Sequence, residues 1–153
     1  MPKIMLTLLA FLLWAEVSAQ ENMGLVLASR GDVRLVRAGN EGPLRQGDFV
    51  AVGDQVVLAV RSFSVIQLFD GAKLSLRPES TLDITEFSMQ GADDDYALIE
   101  LTSGGMKLVA GSIASSNPEG FRIKTPLSIL TVTGPEASLS LCEERICEQS
   151  GLE

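Results

Sequence analysis

The feature that most constrains the fold of this chain is a regular series of short turn dipeptides. Glycine adopts a positive φ at low steric cost, and aspartate and asparagine stabilise turns through side-chain hydrogen bonds. The turn pairs are Gly31-Asp32, Gly39-Asn40, Gly47-Asp48, Gly53-Asp54, Asp70-Gly71 and Gly104-Gly105. No stretch after residue 20 carries an apolar stripe of helical period and length. Turns repeated at intervals of about 8 to 12 residues are typical of all-β domains.

The segments between these turns carry strand patterns of two kinds. Leu74 and Leu76 alternate with polar residues, as do Leu82 and Ile84, which is typical of half-buried strands. Mostly apolar runs, such as residues 65–69, suit strands that are buried on both faces. Asp70-Gly71 predicts a hairpin after this last run. We therefore predict an all-β fold of short antiparallel strands, either a β-sandwich or a flattened β-coil, with both leucine-containing faces in the core.

The first nineteen residues have the pattern of a cleavable secretory signal. Lys3 precedes an apolar run of 11 residues (4–14), and Val17 and Ala19 suit the small pockets of a signal peptidase. The alternative is a retained membrane anchor, but an anchor needs about 20 apolar residues. We therefore expect cleavage between Ala19 and Gln20, a location in the periplasm or outside the cell, and no stable membrane insertion of the processed chain.

Composition argues against several classes of function. The net charge is −8, which disfavours binding to the phosphate backbone of nucleic acids. The chain has no histidine, so the commonest general base and metal ligand is missing. A carboxylate pair remains an open alternative for catalysis, but nothing in the sequence marks one pair out. We therefore expect a protein that is not an enzyme and that binds neither a cofactor nor nucleic acid.

Cys142 and Cys147 are the only two cysteines of the chain. An even number of cysteines in an exported protein indicates a disulfide. The alternative is a two-thiolate metal clip, which offers too few ligands for a structural zinc site. We therefore predict a disulfide between these two residues, which closes a short loop in a polar C-terminal tail.

One acidic segment and its neighbouring tyrosine are candidates for ligand contact. Asp93, Asp94 and Asp95 could offer oxygen ligands to Ca²⁺, but their spacing does not match a calcium-binding loop, and a solvated loop explains them better. We therefore predict that residues 88–96 form an exposed hairpin loop without a metal. Tyr96 is the one aromatic residue after the signal that we nominate for stacking against a sugar ring.

The order of the turn motifs is similar to that of a known family. The motifs are Gly31-Asp32-Val33, the double turn of residues 44–56, the run Asp70-Gly71-Ala72-Lys73-Leu74-Ser75-Leu76-Arg77-Pro78-Glu79-Ser80, Ser103-Gly104-Gly105 and Thr125-Pro126. Together they resemble the FecR domain, the periplasmic module of bacterial signalling regulators of the iron-dicitrate type. The resemblance covers roughly residues 25–134. It implies a β domain that acts by binding other proteins of the envelope.

The chain departs from that family at both ends. FecR-type regulators carry a cytoplasmic anti-sigma segment and a transmembrane helix before the domain, whereas this chain begins with a signal-like segment. Pro135 follows Gly134 where the family tends to have threonine. We expect a signal peptide at 1–19, a FecR-like domain at 20–141 and a tail with the cysteine loop at 142–153. The expected function is non-catalytic binding of another envelope or membrane protein, and the alternative is a glycan or cell-wall binding module.

Overall fold

The computed structural model describes residues 21–91, 93–142 and 145–146. These residues form two seven-stranded sheets and one short helix, which confirms the predicted all-β fold. The segment 1–19, its expected cleavage site at Ala19 and Gln20, and Cys147 lie outside the described residues. The signal peptide and the disulfide therefore remain predictions.

Each sheet is built from strands that are scattered along the chain. Sheet 1 has the spatial order β14-β13-β10-β7-β6-β1-β4, and sheet 2 has the order β12-β11-β9-β8-β5-β2-β3. The strands of sheet 1 are β1 (Asn22–Arg30), β4 (Phe49–Ala51), β6 (Phe63–Leu68), β7 (Lys73–Leu76), β10 (Gly105–Val109), β13 (Glu136–Cys142) and β14 (Arg145–Ile146). The strands of sheet 2 are β2 (Val33–Arg37), β3 (Asn40–Pro43), β5 (Gln55–Leu58), β8 (Thr81–Ser88), β9 (Tyr96–Ser103), β11 (Phe121–Lys124) and β12 (Ile129–Thr131).

One strand pair departs from the predicted antiparallel arrangement, because β11 runs parallel to β9. The chain leaves the end of β9 along β10 in the other sheet and passes through helix α1 (Ser112–Ser116). It then enters β11 beside the start of β9, with Phe121 opposite Ala97. The detour through the opposite sheet and the helix supplies the crossover that parallel strands require.

The chain passes between the two sheets at four neighbouring corners along one side of the sandwich, which we call the spine. The corners are residues 31–32, 59–62, 77–80 and 103–105. Each contains one residue with a positive φ: Gly31 (82°), Arg61 (57°), Glu79 (59°) and Gly104 (75°). Backbone hydrogen bonds join successive corners, as from the Arg77 amide to the Gly105 carbonyl at 2.9 Å. The two sheets are therefore continuous along the spine.

Two buried serines pack against the two glycine corners. The Ser80 hydroxyl accepts a hydrogen bond from the Gly105 amide at 2.9 Å and donates one to the Gly105 carbonyl at 2.8 Å. A Cβ atom on Gly104 would lie 2.5 Å from the Ser80 Cα. Ser62 has the same relation to the other glycine corner, since a Cβ on Gly31 would lie 2.9 Å from the Ser62 Cα. At both places the corners pack backbone against backbone.

The core lies between the sheets and consists almost entirely of aliphatic side chains. Leu74 and Leu76 of sheet 1 and Leu82 and Ile84 of sheet 2 are at most 1% exposed, as the alternation predicts. The predicted hairpin at Asp70-Gly71 joins β6 to β7. No helix among the described residues has the length and apolar character that a membrane span requires.

Candidate interaction surface

Most aromatic residues of the described chain are exposed, whereas most of its large aliphatic residues are buried. Phe121 is fully buried, but Phe49, Phe63, Phe69 and Tyr96 are between 40% and 51% exposed. Aromatic side chains have large surface areas to bury, and they are enriched at protein interfaces. The exposed rings therefore mark a candidate interaction surface.

Three of these rings lie on the outer face of sheet 1. Along β6 the buried Ser64, Ile66 and Leu68 alternate with side chains that point away from the core. Phe63 and Val65 are two of the outward side chains, and Phe69 follows them at the end of the strand. Phe49 on β4 stands opposite Leu25 on β1. We call the group of outward residues the aromatic patch, which comprises Leu25, Phe49, Phe63, Val65 and Phe69.

The patch forms a strip along β6, which the half-buried Gln67 interrupts between Val65 and Phe69. The rings of Phe49 and Phe69 meet edge to face, with their centroids 6.5 Å apart and their planes at 68°. Phe69 directly follows β6, six residues after Phe63, which places the two about 20 Å from each other. Leu25 and Val65 are half-buried between them and lie outside the core cluster. The strip is long enough to receive an extended segment of several residues.

A buried ion pair positions Phe49. The Arg37 guanidinium donates to both carboxylate oxygens of Asp54, at 2.7 and 2.6 Å, and the Asp54 side chain is completely buried. The same guanidinium donates to the Phe49 carbonyl at 3.2 Å, and the Ala51 amide donates to Asp54 at 2.7 Å. The hydrogen bond with Asp54 raises the pKa of Arg37. This network fixes the three-residue strand β4 against the rest of the domain.

A second buried carboxylate holds the turn that carries Phe69. The Phe69 amide donates to the Met23 carbonyl at 2.8 Å. The next residue, Asp70, is 6% exposed and accepts hydrogen bonds from the amides of Ala72 at 3.0 Å and Ile113 at 3.4 Å. Desolvation by burial raises the pKa of the Asp70 carboxyl above its ordinary value. The turn is thereby tied to the start of helix α1.

The charged residues on the strands that form the patch are mostly basic, although the chain is acidic as a whole and the exposed Asp48 directly precedes β4. Strands β1, β4, β6, β7, β10 and β13 contain only one acidic residue, Glu136, and three basic ones, Arg30, Lys73 and Lys107. Lys107 pairs with Glu136 at 2.8 Å. Arg30 stands opposite Phe63, and Lys73 stands opposite Gln67 on the other side of β6. Neither Arg30 nor Lys73 forms an ion pair within the described part of the chain.

The outer face of sheet 2 has a different character, because its polar groups bind each other. Gln55 donates to Asp83 at 2.7 Å, and Lys124 pairs with Glu100 at 3.0 Å. Arg34 binds both Asp32 and Glu41, beside a shallow depression that also contains Gly42 and Pro43. Such mutually satisfied groups have little left to offer a partner, and the exposed apolar residues of this sheet, Leu127 and Ile129, lie at and just before its edge strand β12.

The predicted hairpin loop lies between β8 and β9, and its acidic residues have separate roles. Asp95 is buried, and its carboxylate accepts hydrogen bonds from the amides of Gln90 at 2.6 Å and Gly91 at 2.8 Å. Asp93 and Asp94 are exposed. The described residues contain no group of three or more side chains arranged to hold a metal ion. The buried Asp95 therefore stabilises the loop, in contrast to the expectation that all three carboxylates are solvated.

Tyr96, the residue nominated for sugar stacking, begins β9 on sheet 2, opposite Ser88. It is 40% exposed and does not belong to the aromatic patch on sheet 1. The sequence pattern at residues 65–69 pointed to a strand buried on both faces, and this interpretation is wrong. Phe69 is 51% exposed, because only one face of β6 is covered by the second sheet.

Comparisons with known proteins returned no matching family model, no similar curated protein and no similar solved structure. The resemblance to the FecR domain therefore rests on the motifs alone.

Proposed function

We propose that this chain is a non-catalytic interaction module that binds another envelope protein through the aromatic patch. The observation that carries the proposal is the strip of exposed phenylalanine rings on the outer face of sheet 1. The proposal agrees with the resemblance to FecR domains, and it places the processed protein in the periplasm or outside the cell. The partner is an envelope or membrane protein that presents a complementary apolar surface.

The energetic case rests on the exposed rings. A phenylalanine side chain that is about half exposed still offers roughly 100 Å² to a partner. Burial of that area is worth about 2.5 kcal/mol per ring at about 25 cal/mol per Å². Phe49, Phe63 and Phe69 together therefore supply a gross contribution of several kcal/mol. This is the magnitude expected of a central cluster that dominates a protein interface.

The acidic residues that folding buries have structural partners, which supports a non-catalytic role. Asp54 binds Arg37, Asp70 accepts two backbone amides, and Asp95 accepts two more. A catalytic carboxylate must face the substrate in a cleft. The hydrogen bonds of these three carboxylates instead stabilise β4, the turn after β6 and the β8–β9 loop.

Site-specific photo-crosslinking in cells that produce the full chain tests the proposal. A photoreactive amino acid replaces Val65 in the patch or, as the matched control, Val57 on the outer face of sheet 2. Both are half-buried valines at outward positions of central strands. We expect one dominant protein adduct from position 65 and none from position 57. Equal adduct patterns from the two positions would contradict the proposal.

The glycan-binding alternative has its own measurement. Sedimentation of the purified protein with isolated peptidoglycan, in a manner abolished by Tyr96→Ala, would favour that function. Under the proposed function, Tyr96→Ala leaves the position-65 adduct unchanged, whereas Phe49→Ser combined with Phe69→Ser removes it.

A further inference from the structure

We infer that the partner docks on the aromatic patch with an acidic segment, whose carboxylates pair with Arg30 and Lys73. This inference rests on the proposed function and specifies the chemistry of the partner at the same surface. Its basis is local charge: two exposed cations that form no ion pair in the described structure, Arg30 and Lys73, lie beside the rings on this face, while the chain carries a net charge of −8.

The two cations flank the patch diagonally. Arg30 on β1 is opposite Phe63, and Lys73 on β7 is opposite Gln67. Four residues along β6 and two strand spacings separate them, which corresponds to about 16 Å between their backbone positions. Both residues are exposed, and neither forms an ion pair within the described chain. A partner segment that carries one carboxylate on each side of a central group of apolar side chains matches this arrangement.

The charge of the whole molecule favours a protein segment over an anionic lipid surface. A bilayer presents an extended negative field, which acts on every charge of the domain within about 10 Å. The net charge of −8 therefore opposes the approach of the domain to such a surface. A protein segment brings only a few carboxylates. It brings them next to Arg30 and Lys73, so that their attraction to these two cations outweighs their repulsion from more distant acidic residues. Complementary charges of this kind mainly determine specificity and association rate.

The test combines charge reversal with the position-65 photo-crosslink. The double variant Arg30→Glu/Lys73→Glu is compared with Arg122→Glu, which reverses an exposed charge on β11 of sheet 2. Because Arg30 and Lys73 have no ionic partner in the described structure, the double variant should keep the circular dichroism and melting of the parent protein. We expect the adduct yield to fall at least about tenfold in the double variant and to persist in the control.

Two further readouts distinguish the partner classes. Mass spectrometry of the adduct should identify a crosslinked peptide that contains aspartate or glutamate near apolar residues. Sedimentation with vesicles that contain phosphatidylglycerol should show no binding. An undiminished adduct in the double variant, a basic crosslinked peptide, or vesicle binding that depends on Arg30 and Lys73 would overturn the inference. If the double variant still forms the position-65 adduct, the inference fails but the proposed function stands. If the parent protein forms no position-65 adduct, the proposed function itself is refuted.

Discussion

Replacement of Gly104 by alanine is the most direct perturbation of the spine that joins the two sheets. Gly104 has a φ of 75°, in the left-handed region that costs a residue with a Cβ about 1 to 2 kcal/mol. The added Cβ would also lie 2.5 Å from the Ser80 Cα and 2.7 Å from the Glu79 carbonyl oxygen. Both atoms belong to the backbone of the neighbouring corner, so they cannot rotate away. Overpacking of this kind costs about 1 to 3 kcal/mol.

The two contributions give a predicted loss of about 2 to 5 kcal/mol in the free energy of unfolding for Gly104→Ala. Gly47→Ala is the matched control, because Gly47 has a φ of 92° but nothing within 4 Å of an added Cβ. The control should lose only the dihedral contribution, about 1 to 2 kcal/mol.

Urea unfolding followed by circular dichroism measures both variants against the parent chain. The midpoint should shift further for Gly104→Ala, and the dependence on urea should stay the same if unfolding remains two-state. Equal losses in the two variants would refute the close packing of the corners, because the left-handed φ is common to both glycines.

Three other predictions follow from the buried carboxylates and the cysteines. Asp54→Ala should lower the free energy of unfolding by about 2 to 4 kcal/mol in urea titrations, since it leaves the Arg37 guanidinium without its buried partner, although Arg37 retains some contact with water. Asp70 has a raised pKa in the folded state, so the folded protein holds its proton more tightly, and stability should fall as the pH rises from the ordinary aspartate value through the raised one. In Asp70→Asn this slope should disappear from melting curves recorded across that window. Reduction of the predicted Cys142–Cys147 disulfide should cost about 2 kcal/mol, and alkylation with mass spectrometry should detect two thiols only after reduction.

The turn dipeptides predicted where strands end but not what kind of turn each one makes. Gly31-Asp32 and Gly104-Gly105 resemble ordinary hairpin turns in the sequence, yet in the structure both are corners between sheets. The difference depends on which distant strands pair on either side, and no local residue encodes it. The corners at Arg61 and Glu79 lack glycine altogether, so their positive φ values gave no signal in the sequence.

The aromatic patch was also invisible to local pattern. An apolar run such as residues 65–69 has the same composition whether a second layer covers one face or both. Only the register of β6 against β1, and of β1 against β4, shows that Phe49, Phe63 and Phe69 share an uncovered face. Gln67 is the one polar residue at the positions that Phe63, Val65 and Phe69 occupy on this face, and by itself it did not reveal the patch.

The structure further narrows how a partner approaches the patch. Strand β4 is the edge of sheet 1 beside the rings, and an open edge is the usual place for strand addition. Here the Phe49 carbonyl is engaged by the Arg37 guanidinium, which is itself fixed to the buried Asp54. A strand added to β4 would compete with Arg37 for this carbonyl and disturb a buried ion pair. A partner that docks across the face of sheet 1, with side chains that contact the rings, keeps the hydrogen bond from Arg37 to the Phe49 carbonyl and the ion pair with Asp54. We therefore expect docking across this face and not strand addition at the β4 edge.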